Sequence, residues 1–265
     1  MIRDITIGQY YKADSVIHRL DPRVKLMGTL IFIISLFMGM NIWIYAVVTV
    51  ALAVVIKMSR IPLKFMVRGL KSIVILIIIS AVFNLFLTPG DVLIQIWKLT
   101  ITYQGLKMAI FMVVRLIYLI VGTSLMTLTT TPNNLTDGLE KGLGFLKVIK
   151  VPVHEIAMMM SIALRFIPIL IEETDKIMKA QMARGADFEN GSLIKRAKAM
   201  VPILVPLFVS AFRRANELAM AMEARCYHGS EGRTKMKPLK YEKRDRIAYI
   251  SMVPVSYTHL RAPRD

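Results

Sequence analysis

The residues that could do chemistry in this chain are few and scattered. His154-Glu155 opens like the helix of a zinc protease, but that motif needs a second histidine four positions on, where Met158 stands. His18, His154, His228 and His259 share no ligand spacing, so no metal site is expected. Asp21 precedes Pro22, a pattern that starts a helix with proline at its first position rather than one that places a general base. No G-x-x-x-x-G-K-[ST] run is present, and Gly142 and Gly144 read as a loop, so the chain is not expected to cradle the phosphates of ATP. Cys226 is the one cysteine, which excludes a disulfide framework. With no nucleophile beside a base and no pair of acids, no catalytic residue, no cofactor and no enzymatic activity are expected.

Two features remain. Arg115 lies inside an apolar stretch, where a charge at the centre of a membrane helix costs about 2.5–3.5 kcal/mol and must face protein or water. Packing within a bundle explains it better than a transport path. The second feature is a pair of tripeptides, Ala183-Arg184-Gly185 and Ala224-Arg225-Cys226, 41 residues apart. The residues before them rhyme weakly, Ile177-Met178-Lys179-Ala180-Gln181-Met182 against Leu218-Ala219-Met220-Ala221-Met222-Glu223. Alone, an arginine in a last helical turn complements the helix dipole and the terminal carbonyls. Duplicated at two helix ends, the arginines become two projecting tips suited to a two-point plug for a paired partner.

The elements that position these residues follow from composition. The chain has 265 residues, is 55% hydrophobic and 20% charged, and carries a net charge of +17, with a mean hydropathy of +0.54. That is more apolar than a soluble domain, at about 45–50%. Basic residues punctuate long apolar runs, which marks the cytoplasmic face of a membrane protein rather than a nucleic-acid surface. An all-α integral membrane protein follows, with four to five transmembrane helices plus long amphipathic cytoplasmic helices.

Residues 26–56 contain no charged side chain. As one helix this run would measure about 46 Å, against a hydrocarbon core of about 30 Å, so a break at Gly39-Met40-Asn41 into a hairpin is expected. Spans are predicted near 26–40, 42–56, 72–87 and 103–131, after a cytoplasmic segment over residues 1–25. Residues 57–71 carry Lys57, Arg60, Lys64, Arg68 and Lys71 with no acid and read as a cytoplasmic loop; residues 89–105 carry only Asp91 and Lys98 and read as an outer loop.

From 132 to 246 charges recur every few residues among apolar patches. Glu172/Lys176 and Asp175/Lys179 are i,i+4 pairs of the helpful polarity. A long helix is predicted over 155–184, kinked at Pro168 and stopped by Gly185; a second follows the turn Asn190-Gly191-Ser192, bends at Pro202 and Pro206 and reaches Arg225. This module is read as cytoplasmic or membrane-surface. Residues 247–252 look like the start of a truncated last span, and 253–265 like a non-native tail, because the apolar run fails after Met252.

The opening Gly8-Gln9-Tyr10, Ser15, His18, Leu20-Asp21-Pro22-Arg23 and Lys25, with the two Ala-Arg-X tripeptides, resembles the transmembrane T component of energy-coupling factor (ECF) transporters, the family of the cobalt-transport permease. The similarity covers roughly residues 8–252. It implies a multi-pass protein of the bacterial cytoplasmic membrane whose coupling helices dock on two ATPase subunits and hold a separate substrate-binding S component for uptake of a vitamin or transition-metal ion. On that resemblance, Ala183, Arg184 and Gly185 are the first ATPase-coupling tip and Ala224, Arg225 and Cys226 the second, with Cys226 departing from the family's usual glycine. No nucleic acid is implied; the lipid bilayer is the other partner. Two rival readings stay open. A conventional permease with its own substrate pathway needs inward-facing polar residues in the spans, for which only Asn84 and Arg115 qualify. A membrane-anchored scaffold without a transport role differs from the T component in lacking ATPase partners.

Overall fold

A computed structural model describes residues 10–38, 42–96, 99–186, 188, 192–229, 236 and 238–260. Eight α-helices and one β-hairpin carry these residues, in two compact units. Among the described residues, one comprises 10–139 and 239–260 and the other 140–238.

In the first unit, α1 (Pro22–Met38) and α2 (Ile42–Ser59) are short apolar helices. The break expected at Gly39-Met40-Asn41 lies outside the described residues, though the helices end and begin on either side of it. Pro22 is the first helical residue, and the Asp21 carboxylate accepts the Arg23 N–H at 2.9 Å, so Asp21-Pro22 starts the helix as its chemistry predicts.

α3 (Leu63–Leu87) corrects the expected loop at 57–71. Only Arg60-Ile61-Pro62 separate it from α2, so Lys64 and Lys71 are helical. The corner is tight: Arg60 sits at φ 56, and the Ser59 hydroxyl donates to the Ile56 carbonyl at 2.7 Å. Lysine and arginine are good helix formers, so an absence of acids marks a membrane side without marking a loop. α4 (Tyr103–Thr129) matches the predicted span and packs chiefly along α3. Their core joins Ile61 and Met66 to Val121, Leu125 and Leu128, while Leu36, Tyr45 and Val48 form a second cluster against Phe111 and Tyr118 of α4.

The stretch expected as an outer loop contains a hairpin the sequence reading missed. β1 (Val92–Ile96) pairs antiparallel with β2 (Leu99–Thr102). Thr102 closes it onto α4, accepting the Gly105 N–H at 3.0 Å and donating to the Thr88 carbonyl at 2.9 Å. Strands of five and four residues are too short to show alternation above their apolar surroundings.

Arg115 of α4 is 9% exposed. Its Nε donates to the Tyr45 hydroxyl at 3.1 Å, and its guanidinium lies 5.5 Å from the Phe37 ring centre. It joins α4 to α1 and α2, which is the packing role.

α8 (Lys243–Leu260) begins before the expected residue 247 and continues past Met252 through Pro254. Asp245 anchors its start. Its carboxylate accepts the Glu242 N–H at 2.8 Å, one half of a capping box, and the Asp21 N–H at 2.9 Å from the far end of the chain. Arg23 pairs with Asp21 at 2.9 Å and lies 3.8 Å from the Tyr241 ring centre. Lys25, just ahead of the apolar run, donates to the carbonyls of His18 at 3.1 Å and Thr129 at 2.8 Å. Burial pushes its ammonium down to about 8, against the opposing pull of Asp21 and Asp245.

In the second unit α6 (Val153–Ala183) and α7 (Leu193–Glu223) are the two long helices expected, with Pro168 inside the first and Pro202 and Pro206 inside the second. The His154 ring bonds Glu140 at 2.7 Å across the turn that follows α5 (Pro132–Gly142). By length and composition α4 and α6 can each cross a membrane, and the α2–α3 pair, bent by 119°, counts as a third candidate if taken as one span. The span-like character of α6 lies in its first half, ahead of the charged pairs that suggested a surface helix.

Candidate coupling site

The two arginine tips sit on α6 and α7, and the way those helices pack follows the 41-residue repeat. Glu173 pairs with Arg214, 41 residues on, at 3.1 Å. Gln181 donates to the Pro202 carbonyl at 3.3 Å. Ser161 and Met222, the counterparts of Pro202 and Gln181 under the same shift, line one groove. Partner numbers fall as residue numbers rise, so the helices run antiparallel about a local pseudo-two-fold at Glu173/Arg214. Arg184 and Arg225 each lie 11 residues beyond that centre, about 16 Å along their helices, and project from opposite ends of the pair.

Both tips close with the same backbone motif. At the first, the Ala186 N–H bonds the Gln181 carbonyl at 3.0 Å and the Gly185 N–H the Met182 carbonyl at 2.9 Å. At the second, the Tyr227 N–H bonds the Met222 carbonyl at 3.1 Å and the Cys226 N–H the Glu223 carbonyl at 2.8 Å. Each is a Schellman closure, shifted by the repeat length. Gly185 takes the left-handed position at φ 88, and Cys226 takes it at φ 54. The departure from glycine therefore leaves the cap formed but strained.

That closure bears on the reading of the arginines as helix caps. The carbonyls at issue are satisfied by backbone N–H groups, and among the described residues neither guanidinium has a hydrogen bond or ion pair. Both arginines are exposed. Held at rigid helix ends with five N–H donors free, they are preorganised to grip carboxylates.

A side chain at a left-handed position costs about 1–2 kcal/mol, less about 0.5–1 for the greater freedom of glycine in the unfolded chain. Gly185→Ala is therefore expected to lower, and Cys226→Gly to raise, the thermal midpoint of the purified protein. Nothing lies within 4 Å of a methyl group added at Gly185, so the backbone alone sets the effect. Equal midpoints for all three proteins would contradict the strained cap.

The turn expected at Asn190-Gly191 lies outside the described residues; α7 starts at Leu193. Sequence reasoning missed the Glu173–Arg214 pair, although both residues stand in the 41-residue register of the tips. It also passed over Arg165, which lines the groove beside Arg225. Among the described residues no group of three histidine, cysteine or acidic side chains is placed to hold a metal.

A model of the cobalt transport protein family (CbiQ) matches residues 13–236 of this chain. The chain is 57% identical over 250 residues to an energy-coupling factor transporter transmembrane protein of Clostridium kluyveri, covering 94% of this chain and 93% of that one. It is 47% identical over 254 residues to the protein of that name in Bacillus subtilis, covering 96% of each. The counterpart in Lactococcus lactis is 42% identical, with 95% of each covered. All three are transport proteins rather than enzymes, and both tripeptides fall inside the region matched by the family.

Proposed function

This chain belongs to the cobalt transport protein family, as the membrane-embedded T component of an ECF transporter, and from that premise we propose that it couples two ATPase subunits to a substrate-binding S component. The observation that carries the proposal is the pair of identically closed helix ends, each presenting an exposed, uncommitted arginine from opposite ends of one antiparallel helix pair. Two tips so arranged suit two separate carboxylate-bearing grooves. ATP-driven closure of an ATPase pair changes the distance between its grooves, and α6 and α7, clamped at Glu173–Arg214, carry that change toward the membrane. The methionines of these helices, Met160, Met178 and Met182 among them, give an adaptable apolar face for gripping an S component. Cargo, a vitamin or a transition-metal ion, is then bound by the S component.

The test is co-purification with the ATPase pair of the same genome, followed by substrate uptake in reconstituted vesicles. Intact assembly and uptake after loss of both arginines would contradict the proposal.

The same reading fixes topology in the bacterial cytoplasmic membrane. The basic corner around Arg60 and residues 132–246 face the cytoplasm, and the β-hairpin faces outward. In a Cys226→Gly background, an impermeant thiol reagent added outside should label Asp91→Cys and spare Lys64→Cys. Both positions are exposed, so accessibility reports the side of the membrane. Strong outside labelling at 64 would contradict this topology.

A further inference from the structure

The second tip adjoins a groove. Beside Arg225, the ends of α6 and α7 enclose an open groove of about 660 Å³, within the size range of binding pockets. Met158, Ile162 and Met222 supply apolar walls, Arg165 and Arg225 supply cationic groups with the His228 ring beside them, and among the described residues no acidic side chain lines it. Under the 41-residue repeat, the counterparts of Arg165, Tyr227 and His228 are Pro206, Ala186 and Asp187. Arg165 thus has no cationic counterpart under the repeat, whereas Arg225 has Arg184.

Resting on the reading that the tips dock on ATPases, we propose that this groove is the receiving half of the second contact: it takes an apolar side chain flanked by carboxylates from the same ATPase that Arg225 grips, with Arg165 as a further docking arginine. Two observations select that occupant. The groove is continuous with the tip, since Arg225 and Cys226 belong to both. Its charge complements an acidic segment, and an apolar anchor seated in a pocket with charged groups around it is the arrangement that concentrates binding energy at protein interfaces. Methionine walls adapt to the shape of the anchor. The two tips consequently differ in what they accept, and the T component seats on its ATPase pair in one orientation.

The experiment measures the affinity of the ATPase pair for the protein in phosphatidylcholine nanodiscs. Arg165→Glu reverses one charge and Ser161→Trp fills the groove, both at the lining of an open surface; circular dichroism verifies folding. Each is expected to weaken binding about tenfold or more, with Arg165→Lys retaining only part of the affinity. Arg225→Glu separates the two readings. If it weakens binding while Arg165→Glu and Ser161→Trp do not, the groove proposal fails and docking by the tips stands. If none of the three weakens binding, both fail. In nanodiscs containing phosphatidylglycerol, a loss of retained phosphatidylglycerol in Arg165→Glu at unchanged ATPase affinity identifies a lipid seat and overturns the proposal.

Discussion

Replacing Arg184 and Arg225 together by alanine is expected to abolish assembly with the ATPase pair while leaving membrane insertion intact. Truncating one partner of a buried, hydrogen-bonded charge pair costs about 2–5 kcal/mol, which is about 30-fold to several thousandfold in affinity. An arginine that only complements a helix dipole contributes about 0.3–1 kcal/mol, at most a few-fold. The two accounts therefore differ by about fivefold or more at each site. Because backbone N–H groups already close both helix ends, neither substitution should unravel its helix. Each single variant should weaken assembly or uncouple ATP hydrolysis from uptake, and lysine should restore only part of the loss, lacking the planar fork that matches a carboxylate. Co-purification and vesicle uptake measure both effects. Wild-type values for the double variant would reduce the arginines to helix ends without a partner.

The second large effect concerns stability. Asp245 is 2% exposed, and its carboxylate accepts N–H groups from Asp21 and Glu242. Alanine there strands the buried Asp21 N–H, leaves the part-buried Glu242 N–H without its acceptor and removes a negative charge facing Lys25. The expected cost is about 2–5 kcal/mol, a fall of about 5–15 °C in the thermal midpoint for a chain of this size. Asp245→Asn keeps one acceptor oxygen and should lose less. Arg244→Ala is the control, since the Arg244–Glu242 pair is largely solvated, with side chains 34% and 59% exposed, and is expected to be nearly neutral. Equal midpoints for Asp245→Ala and Arg244→Ala would show that the link between the two ends of the chain contributes nothing.

These two cases show what a sequence reveals and what it hides. The tips were legible because a tripeptide, a helix end and a spacing recur together, and α4 was legible because an apolar run ends at Pro132. Asp21-Pro22 was legible because capping is local. Asp245 was not, since its partner lies 224 residues away and a lone aspartate early in a basic helix looks like any solvated charge. Arg115 could be argued to face protein, but the Tyr45 hydroxyl it meets is 70 residues distant. The start of α3 was missed for a different reason: charge reports the side of the membrane, and helix propensity, which runs through the basic residues, decides the backbone. Glu173–Arg214 stood in plain register with the tips, and applying the repeat to charged residues as well as to the tripeptides finds it.

The central claim is that each tip touches an ATPase. Incorporation of the photocrosslinker p-benzoylphenylalanine at position 184, at 225, and at both, in the complex assembled with the ATPase pair, tests it directly. The account predicts an ATPase adduct from each single position, and from the doubly labelled chain a species containing one T component and two ATPase chains. Adducts confined to lipid or to the S component, or no adduct from either position, would contradict it.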